Sequence, residues 1–456
     1  MISLDGYKNR CIAVLGLGRS GLSVALALRA GGARVVVWDD TQATLERVTT
    51  RYPDMDVRDL NQQESWMGIE SLILSPGIAH NYPKIGAVLE HAFAFGVPID
   101  NDIGLFFSCK PPEVKTVLVT GSNGKSTTAL LIYHLLSKNG RDVQIGGNIG
   151  RGVFDLAPSA SGAIVVLEVS SYQTELASVL APDIAVFTNF SPDHMERHGG
   201  KGGYFAAKKR LFDISYPSVA VVGVDEQEGA FLANSLKARS IYVVYVSCHD
   251  KKIPEPFMRY ENENVQSSKG DIVSLAGLRN LAGRHNSQNA CCACAVCCAL
   301  GMTFEEIAEA LPSFTGLPHR FEWLGEKNGV SFINDSKATN MEAARQALEA
   351  CENIHWIAGG QSKEGGYLSN LGNALHRVVK AYFIGEAARE FSDAIGKDKR
   401  HVIADTLERA IALAVAEAKA GDTILFSPAC ASFDQFQDFE ARGNAFRDIV
   451  SRICGF

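Results

Sequence analysis

The sequence predicts a three-domain α/β protein built on mostly parallel sheets. Three observations predict it. The chain has 456 residues, and domains run to roughly 100–200 residues each. Short apolar runs alternate with helical patterns along the whole length. Two of those runs lead through glycine-rich loops directly into helical stretches, as parallel strand–loop–helix units do.

The first segment, residues 1–111, opens with the buried-strand pattern Cys11–Leu15, then Gly16, Gly18 and Gly21, then a helical stretch to Ala30. A second apolar run, Arg34–Trp38, ends in Asp39 and Asp40, and a third, Ser71–Leu74, enters the turn Ser75, Pro76, Gly77. The segment closes on the linker pattern Lys110, Pro111, Pro112. This is a Rossmann-like domain. The second segment, 112–315, carries strand patterns at 116–120, 163–167 and 184–188 and reads as a central P-loop ATPase-like domain with a mostly parallel sheet. The third, 316–456, has strand patterns at 330–333, 354–358, 381–384 and 423–426 and reads as a C-terminal Rossmann-like domain.

Composition excludes several classes. Hydrophobic residues are 46% and charged residues 21% of the chain, which disfavours disorder, collagen and coiled coil. The net charge of −7 argues against nucleic acid as a partner, because such binders need a basic face. The longest apolar run, 290–302, is too short to span a bilayer, so no membrane association is expected. The N-terminal apolar run leads into turn chemistry rather than a cleavage site, and the 11 cysteines read as reduced thiols, so a cytoplasmic location is expected.

The two glycine-rich loops carry the chemistry. Gly16, Gly18 and Gly21 form G-x-G-x-x-G between strand and helix, with Asp39 at the end of the next strand. The physics asks for a diphosphate at a helix N-terminus and an acid near a ribose, so NAD and a UDP-sugar fit alike. The second loop runs Gly121, Ser122, Asn123, Gly124, Lys125, Ser126, Thr127. It is a short G-x-x-G-K-S-T version of the phosphate loop, in which backbone N–H groups cradle phosphates, the lysine reaches the terminal oxygens and the hydroxyl faces Mg²⁺. A diphosphate ligand together with ATP suggests an enzyme that activates a nucleotide-linked substrate.

Further motifs lie in order along the chain: GGNIG at 146–150, E-x-S-S-Y-Q at 168–173, DHMER at 193–197, G-x-HN-x-x-NA at 283–290, HR-x-E at 319–322 and DSKATN at 335–340. With the ATP loop, this set resembles the Mur ligases of peptidoglycan synthesis and spans all three segments. DSKATN, GG-x-x-K (Gly359, Gly360, Lys363) and SPACASFDQF at 427–436 are most similar to the D-glutamate-adding branch of that family. No DNPR segment of the diaminopimelate-adding branch is present.

The resemblance implies an ATP-dependent amide ligase. ATP would phosphorylate the alanyl carboxylate of UDP-N-acetylmuramoyl-L-alanine, and the amine of D-glutamate would attack the acyl phosphate. It assigns the first loop to UDP. The nucleotide substrate would then touch Gly18, Ser20, Asp39, Asp40, Ser75, Gly77, Asn148 and Ser170. ATP would touch residues 121–127 together with Asn286, Asn289, Arg320 and Asp335. D-Glutamate would meet Lys337, Thr339, Lys363, Ser432 and Phe439. Two Mg²⁺ ions are implied, with Ser126, Glu168, His194 and Lys208 as ligands. Lys208 matches a lysine that the family carbamylates, which converts a cation into an anionic oxygen ligand. Lys125, Asn148, His194 and Lys208 are the implied catalytic set, in an enzyme expected to be a monomer.

The cysteine run at 291–298 contains C-x-x-C, but no second pair or histidine pair completes a zinc site. Cys291, Cys294 and Cys298 share one helical face with alanine neighbours and read as small core residues. Three alternatives remain at this stage: another Mur or folylpolyglutamate-type ligase, an NAD-dependent oxidoreductase using Gly16 to Gly21, and a P-loop ATPase or binding module.

Overall fold

The computed structural model describes residues 2–79, 86–193, 195–249, 252–281, 283–361, 368–396 and 399–455. They form three sheets. The first contains β1 (Cys11–Leu15), β2 (Arg34–Trp38), β3 (Asp56–Val57), β4 (Ser71–Leu74) and β5 (Ile99–Asp100) in the order β3-β2-β1-β4-β5. All its pairs are parallel. The strand order turns at β1, and the crevice between the C-terminal ends of β1 and β4 is where such sheets bind ligands.

The second sheet has nine strands: β6 (Lys115–Thr120), β7 (Val143–Gly147), β8 (Ile164–Glu168), β9 (Ile184–Phe187), β10 (Val219–Gly223), β11 (Tyr242–Ser247), β12 (Phe257–Glu261), β13 (Asn264–Ser267) and β14 (Ile272–Ser274). Their order is β14-β13-β12-β11-β10-β9-β6-β8-β7. Every residue of β1, β4, β8 and β9 is buried. That is why these strands read as continuous apolar runs, as strands covered on both faces do.

At its far edge the second sheet continues as the antiparallel meander β12–β13–β14, where Met258, Val265 and Val273 are buried between more exposed neighbours. The sequence reading missed this meander, because half-buried short strands carry only a weak alternating signal.

The third sheet contains β15 (Glu322–Lys327), β16 (Val330–Asn334), β17 (Ile354–Gly359), β18 (Val378–Ile384), β19 (His401–Asp405) and β20 (Thr423–Phe426), in the order β15-β16-β20-β17-β18-β19. Only β15 pairs antiparallel.

By compactness the chain divides into two units. One comprises Met1–Ser274 and Gln288–Leu311, the other Leu275–Ser287 and Pro312–Phe456. The first two sheets therefore share a unit. Leu17, Val24 and Phe106 lie in the same continuous core as Phe154, Val169 and Leu180. Among the described residues no helix is long and apolar enough to cross a membrane.

The helix Arg284–Ala299 carries the cysteine run. Cys291, Cys292, Cys294 and Cys297 have no exposed surface, whereas Cys298 is half-buried. The helix is thus buried around most of its circumference, not only on the face through Cys291, Cys294 and Cys298. Burial raises all of these thiols, Cys298 to about 11. Because the thiolate is the reactive form, Cys291, Cys292, Cys294 and Cys297 are expected to resist maleimide at neutral pH in the native protein. They should react once the chain is unfolded in guanidinium. Peptide mapping checks this, and rapid native labelling of those four would contradict the packing described.

Candidate active site

In the first unit the loop after β1 is built by steric need. A Cβ on Gly21 would lie 1.9 Å from the Gly16 carbonyl oxygen, so the third glycine lets helix and strand meet. The space over Gly18 is open, which leaves room for a ligand to approach the backbone. Ser75 Oγ donates to Gly16 O at 2.7 Å. Asp39 accepts from the N–H groups of Leu17 (2.6 Å) and Thr41 (2.9 Å), so it braces the loop it was expected to serve. Asp40 accepts from the Trp38 indole, and Ser20 bonds to the buried Asp102.

The phosphate loop leaves β6 at Thr120 and enters the helix Lys125–Lys138. Gly121 and Gly124 have φ of +141° and +78°, and a Cβ at either would lie 2.0 Å from Thr188 Oγ1 or Asn289 Oδ1. Only glycine fits both the backbone conformation and the space. Asn189, which the motif search missed, holds the loop. Its carbonyl accepts from Ser122 N–H at 2.9 Å, and its side-chain oxygen accepts from Asn123 N–H at 2.9 Å. Those two N–H groups therefore point into the protein. The anion-facing donors are left to the helix's first turn at Lys125, Ser126 and Thr127. Asn289 is buried and accepts from the Thr128 hydroxyl at 3.2 Å, so it packs against the loop.

Lys125 Nζ donates to the carbonyls of Gly121 (3.1 Å) and Ser122 (2.8 Å). Ser126 Oγ donates to Glu168 Oε2 at 2.5 Å, and Asn148 Nδ2 donates to Glu168 Oε1 at 3.3 Å. Glu168 is buried at the end of β8, beside β6. A carboxylate and a hydroxyl in contact form a hard-oxygen set of the kind Mg²⁺ takes. Among the described residues no group of three or more His, Cys, Asp or Glu is arranged to hold a metal ion. His194, expected as a further ligand, lies outside the described residues.

Lys208 comes from the helix Lys201–Asp213 and is 1% exposed. Its Nζ donates to Gly121 O at 2.6 Å and stands 4.3 Å from the centre of the Tyr204 ring. Burial, and after it the Lys125 ammonium, hold this amine well below the ordinary lysine range, against the pull of Asp193 and Glu168. Lys209 turns away and pairs with Asp213 one turn further along.

Lys125, Asn148 and Lys208 open on one cleft of ≈ 300 Å³, which Ser126 and Glu168 do not line. Of the residues singled out in the sequence, Gly77, Ser122, Lys125, Asn148, Ser170 and Lys208 line it, together with Ser171, Tyr172, Asp193 and Tyr204, which were not selected.

The second unit holds another group of expected residues. Asp335 is buried and accepts from Phe321 N–H (3.0 Å) and Ser427 Oγ (2.9 Å). Burial pushes its carboxyl up to about 7 although those bonds and Arg320 oppose the shift. Lys337 Nζ lies 3.8 Å from the Phe439 ring centre, and Thr339 N–H donates to Lys337 O at 2.8 Å. Ser432 is buried, and so is Asn286 near the start of its helix.

The organiser of this group is Arg442, 1% exposed. It donates to Ser336 Oγ (3.1 Å), Ser336 O (2.8 Å), Cys430 O (3.0 Å) and Ala431 O (3.0 Å), tying the 335–340 segment to the 430–432 segment. The available signal was its place, one turn before the buried Phe446 and two before Val450, in the apolar stripe of the last helix. Lys363 lies outside the described residues.

Comparison with known proteins accords with this arrangement. A Mur ligase MurD-like N-terminal domain matches residues 10–97, the Mur ligase middle domain 119–297, and the Mur ligase glutamate ligase domain 319–430. The UDP-N-acetylmuramoylalanine–D-glutamate ligase of Cereibacter sphaeroides (strain ATCC 17029) is 48% identical, covering 99% of this chain and 100% of the relative. The ligase of the same name from Dinoroseobacter shibae is 49% identical over the same shares. The crystal structure of the UDP-N-acetylmuramate–alanine ligase MurC from Thermotoga maritima shares the fold, with a TM-score of 0.59 and 17% identity over 97% of this chain and 99% of that one. A pseudomurein peptide ligase from Methanothermus fervidus gives 0.58 and 19%, over 98% and 100%. The chain therefore belongs to the Mur ligase family.

Proposed function

We propose that this chain is an ATP-dependent ligase that adds D-glutamate to UDP-N-acetylmuramoyl-L-alanine through an acyl phosphate, as a step of peptidoglycan precursor synthesis. The observation that carries the reading is the single cleft that joins Lys125 of the phosphate loop, Asn148, Ser170 and Lys208 to Gly77 of the turn after β4. The names of the full-length relatives favour D-glutamate over another amino acid.

In this reading residues 1–111 hold the UDP moiety, 112–315 hold ATP, and 316–456 supply D-glutamate and further ATP contacts. The crevice after β1 and β4 takes the diphosphate over Gly18, with Ser20, Asp39, Asp40 and Ser75 around it. The helix N–H groups at Lys125 to Thr127 and the Lys125 ammonium take the ATP phosphates, and Lys125 stabilises charge on the phosphoryl group in flight. Asn148 orients the alanyl carboxylate for attack on that group. Arg320, Asp335, Asn286 and Asn289 complete the ATP site. Lys337, Thr339, Lys363, Ser432 and Phe439 hold the dicarboxylate acceptor.

Ser126, Glu168, His194 and a carbamylated Lys208 are the residues that would hold two Mg²⁺ ions, which supply neutralisation of phosphate charge when bound. A cytoplasmic, monomeric enzyme is part of this reading.

Carbamylation needs an unprotonated amine. The sign of the Lys208 shift supports it: a lowered pKa keeps the neutral form available to lower pH than in an exposed lysine, and that form is lost as pH falls through the folded value. Activity should therefore fall in carbonate-free buffer and return with bicarbonate. Lys208→Ala should be inactive, regain some activity with acetate as a replacement carboxylate, and ignore bicarbonate. Lys209→Ala should behave as wild type. Steady-state rates of the two variants side by side check this, and an active Lys208→Ala enzyme would contradict it.

Lys125→Ala should fold normally, since its side chain serves the ligand, and lose about a hundredfold or more in kcat. Phosphate release from ATP, with D-glutamate, L-glutamate and meso-diaminopimelate offered in turn, tests the reading as a whole. Release that depends on D-glutamate and on the nucleotide substrate is expected. Release independent of both would replace the ligase reading with a simple ATPase.

A further inference from the structure

The cleft wall contains a second set of groups that the roles above leave unused. Ser171 lines the cleft, and its Oγ lies 3.0 Å from His198 Nε2. His198 Nδ1 lies 2.9 Å from Glu175 Oε2, a charge contact that lacks the geometry of a hydrogen bond. Ser171 and His198 are 3% and 4% exposed, so the two meet away from bulk water. The imidazole is clamped between the rings of Tyr172 (5.2 Å, stacked) and Tyr204 (5.4 Å, tilted), which fixes its plane. Around them stand Arg197 over the Tyr172 ring, and Asp193 and Lys208 in the same cleft.

A carboxylate at Nδ1 favours the tautomer with its proton on that nitrogen. In that tautomer Nε2 accepts the Ser171 hydroxyl proton, on a serine that lines the cleft. This is the connectivity of a base oriented by an acid and acting through a hydroxyl.

We propose that Ser171 and His198, with Glu175 behind them, form the proton acceptor for the amine in the amide-forming step. The inference rests on the ligase reading above. D-Glutamate arrives as an ammonium and loses its first proton to solvent. The amine nitrogen then bonds to the acyl carbon, and the C–O bond to phosphate breaks, with its electron pair leaving on phosphate. The second N–H proton passes to Ser171 Oγ as the Ser171 hydroxyl proton passes to His198 Nε2. Glu175 offsets the charge that the imidazole gains. Ser171 is the group that touches the reacting amine. His198 and Glu175 act through it as positioning residues.

The test separates the two chemical steps. With ATP and UDP-N-acetylmuramoyl-L-alanine but no D-glutamate, borohydride reduction traps the acyl phosphate as an alcohol. With D-glutamate present, single-turnover formation of the amide is followed. Ser171→Ala and His198→Gln should keep the wild-type rate of acyl-phosphate trapping and the wild-type KM for ATP and the nucleotide. Amide formation should slow about a hundredfold or more, the usual worth of a general base. Retained trapping is also the internal check that each variant is folded, and Ser171→Ala removes only one oxygen should His198→Gln fail that check. Equal losses in both steps would mean a structural role, and unchanged amide formation would mean no role; either overturns the proposal. If the wild-type enzyme itself traps no acyl phosphate, the ligase reading fails rather than the relay.

Discussion

Lys125 and Lys208 both donate to the carbonyl oxygen of Gly121, at 3.1 and 2.6 Å, on the wall of one cleft. Burial raises the cost of carrying charge at Lys208, and the Lys125 ammonium on the same acceptor adds to it. Much of the surrounding architecture bears on that problem. Glu168 is buried behind the loop, and Asp193 opens onto the same cleft. The glycines at 121 and 124 let the loop pass close enough to Thr188 and Asn289 for both amines to reach it. A site so built is completed by anions, and phosphate, carboxylate and carbamate are the anions of the proposed reaction.

The same economy appears in the second unit with the sign reversed. Asp335 is a carboxylate whose burial outweighs two hydrogen bonds and a neighbouring arginine. Arg442 is a guanidinium without surface exposure, held by four acceptors and lowered to about 10. Such groups are costly unless fully bonded. Arg442 is bonded to the two segments that carry Lys337 and Ser432, so its expense is tied to the placement of the residues assigned to the acceptor.

What could be read from the sequence follows from how local each requirement is. The phosphate loop was legible because its glycines and lysine answer to backbone sterics and phosphate geometry within a few residues. The central strands were legible because burial on both faces writes a continuous apolar run. Asn189 was not, since one asparagine after a strand carries no pattern, and its role depends on a loop far away in sequence. The choice of Lys208 over Lys209 depends on helix rotation: one turns into the core, the other toward Asp213. Asp39 was expected to meet a ribose, and in the fold its carboxylate holds the N–H groups of Leu17 and Thr41. Ser171 and His198 come from two separate motifs, and only the fold brings them to 3.0 Å.

In the proposed reaction the γ-phosphoryl group of ATP passes to a carboxylate and, when the amide forms, leaves as phosphate with one of the carboxylate's oxygens. The direct measurement is oxygen transfer. UDP-N-acetylmuramoyl-L-alanine carrying ¹⁸O in both alanyl carboxylate oxygens is incubated with ATP, Mg²⁺, D-glutamate and the enzyme, and the released phosphate is analysed by mass. One ¹⁸O per phosphate is the result this account predicts. Phosphate free of ¹⁸O, released at the rate of product formation, would contradict it.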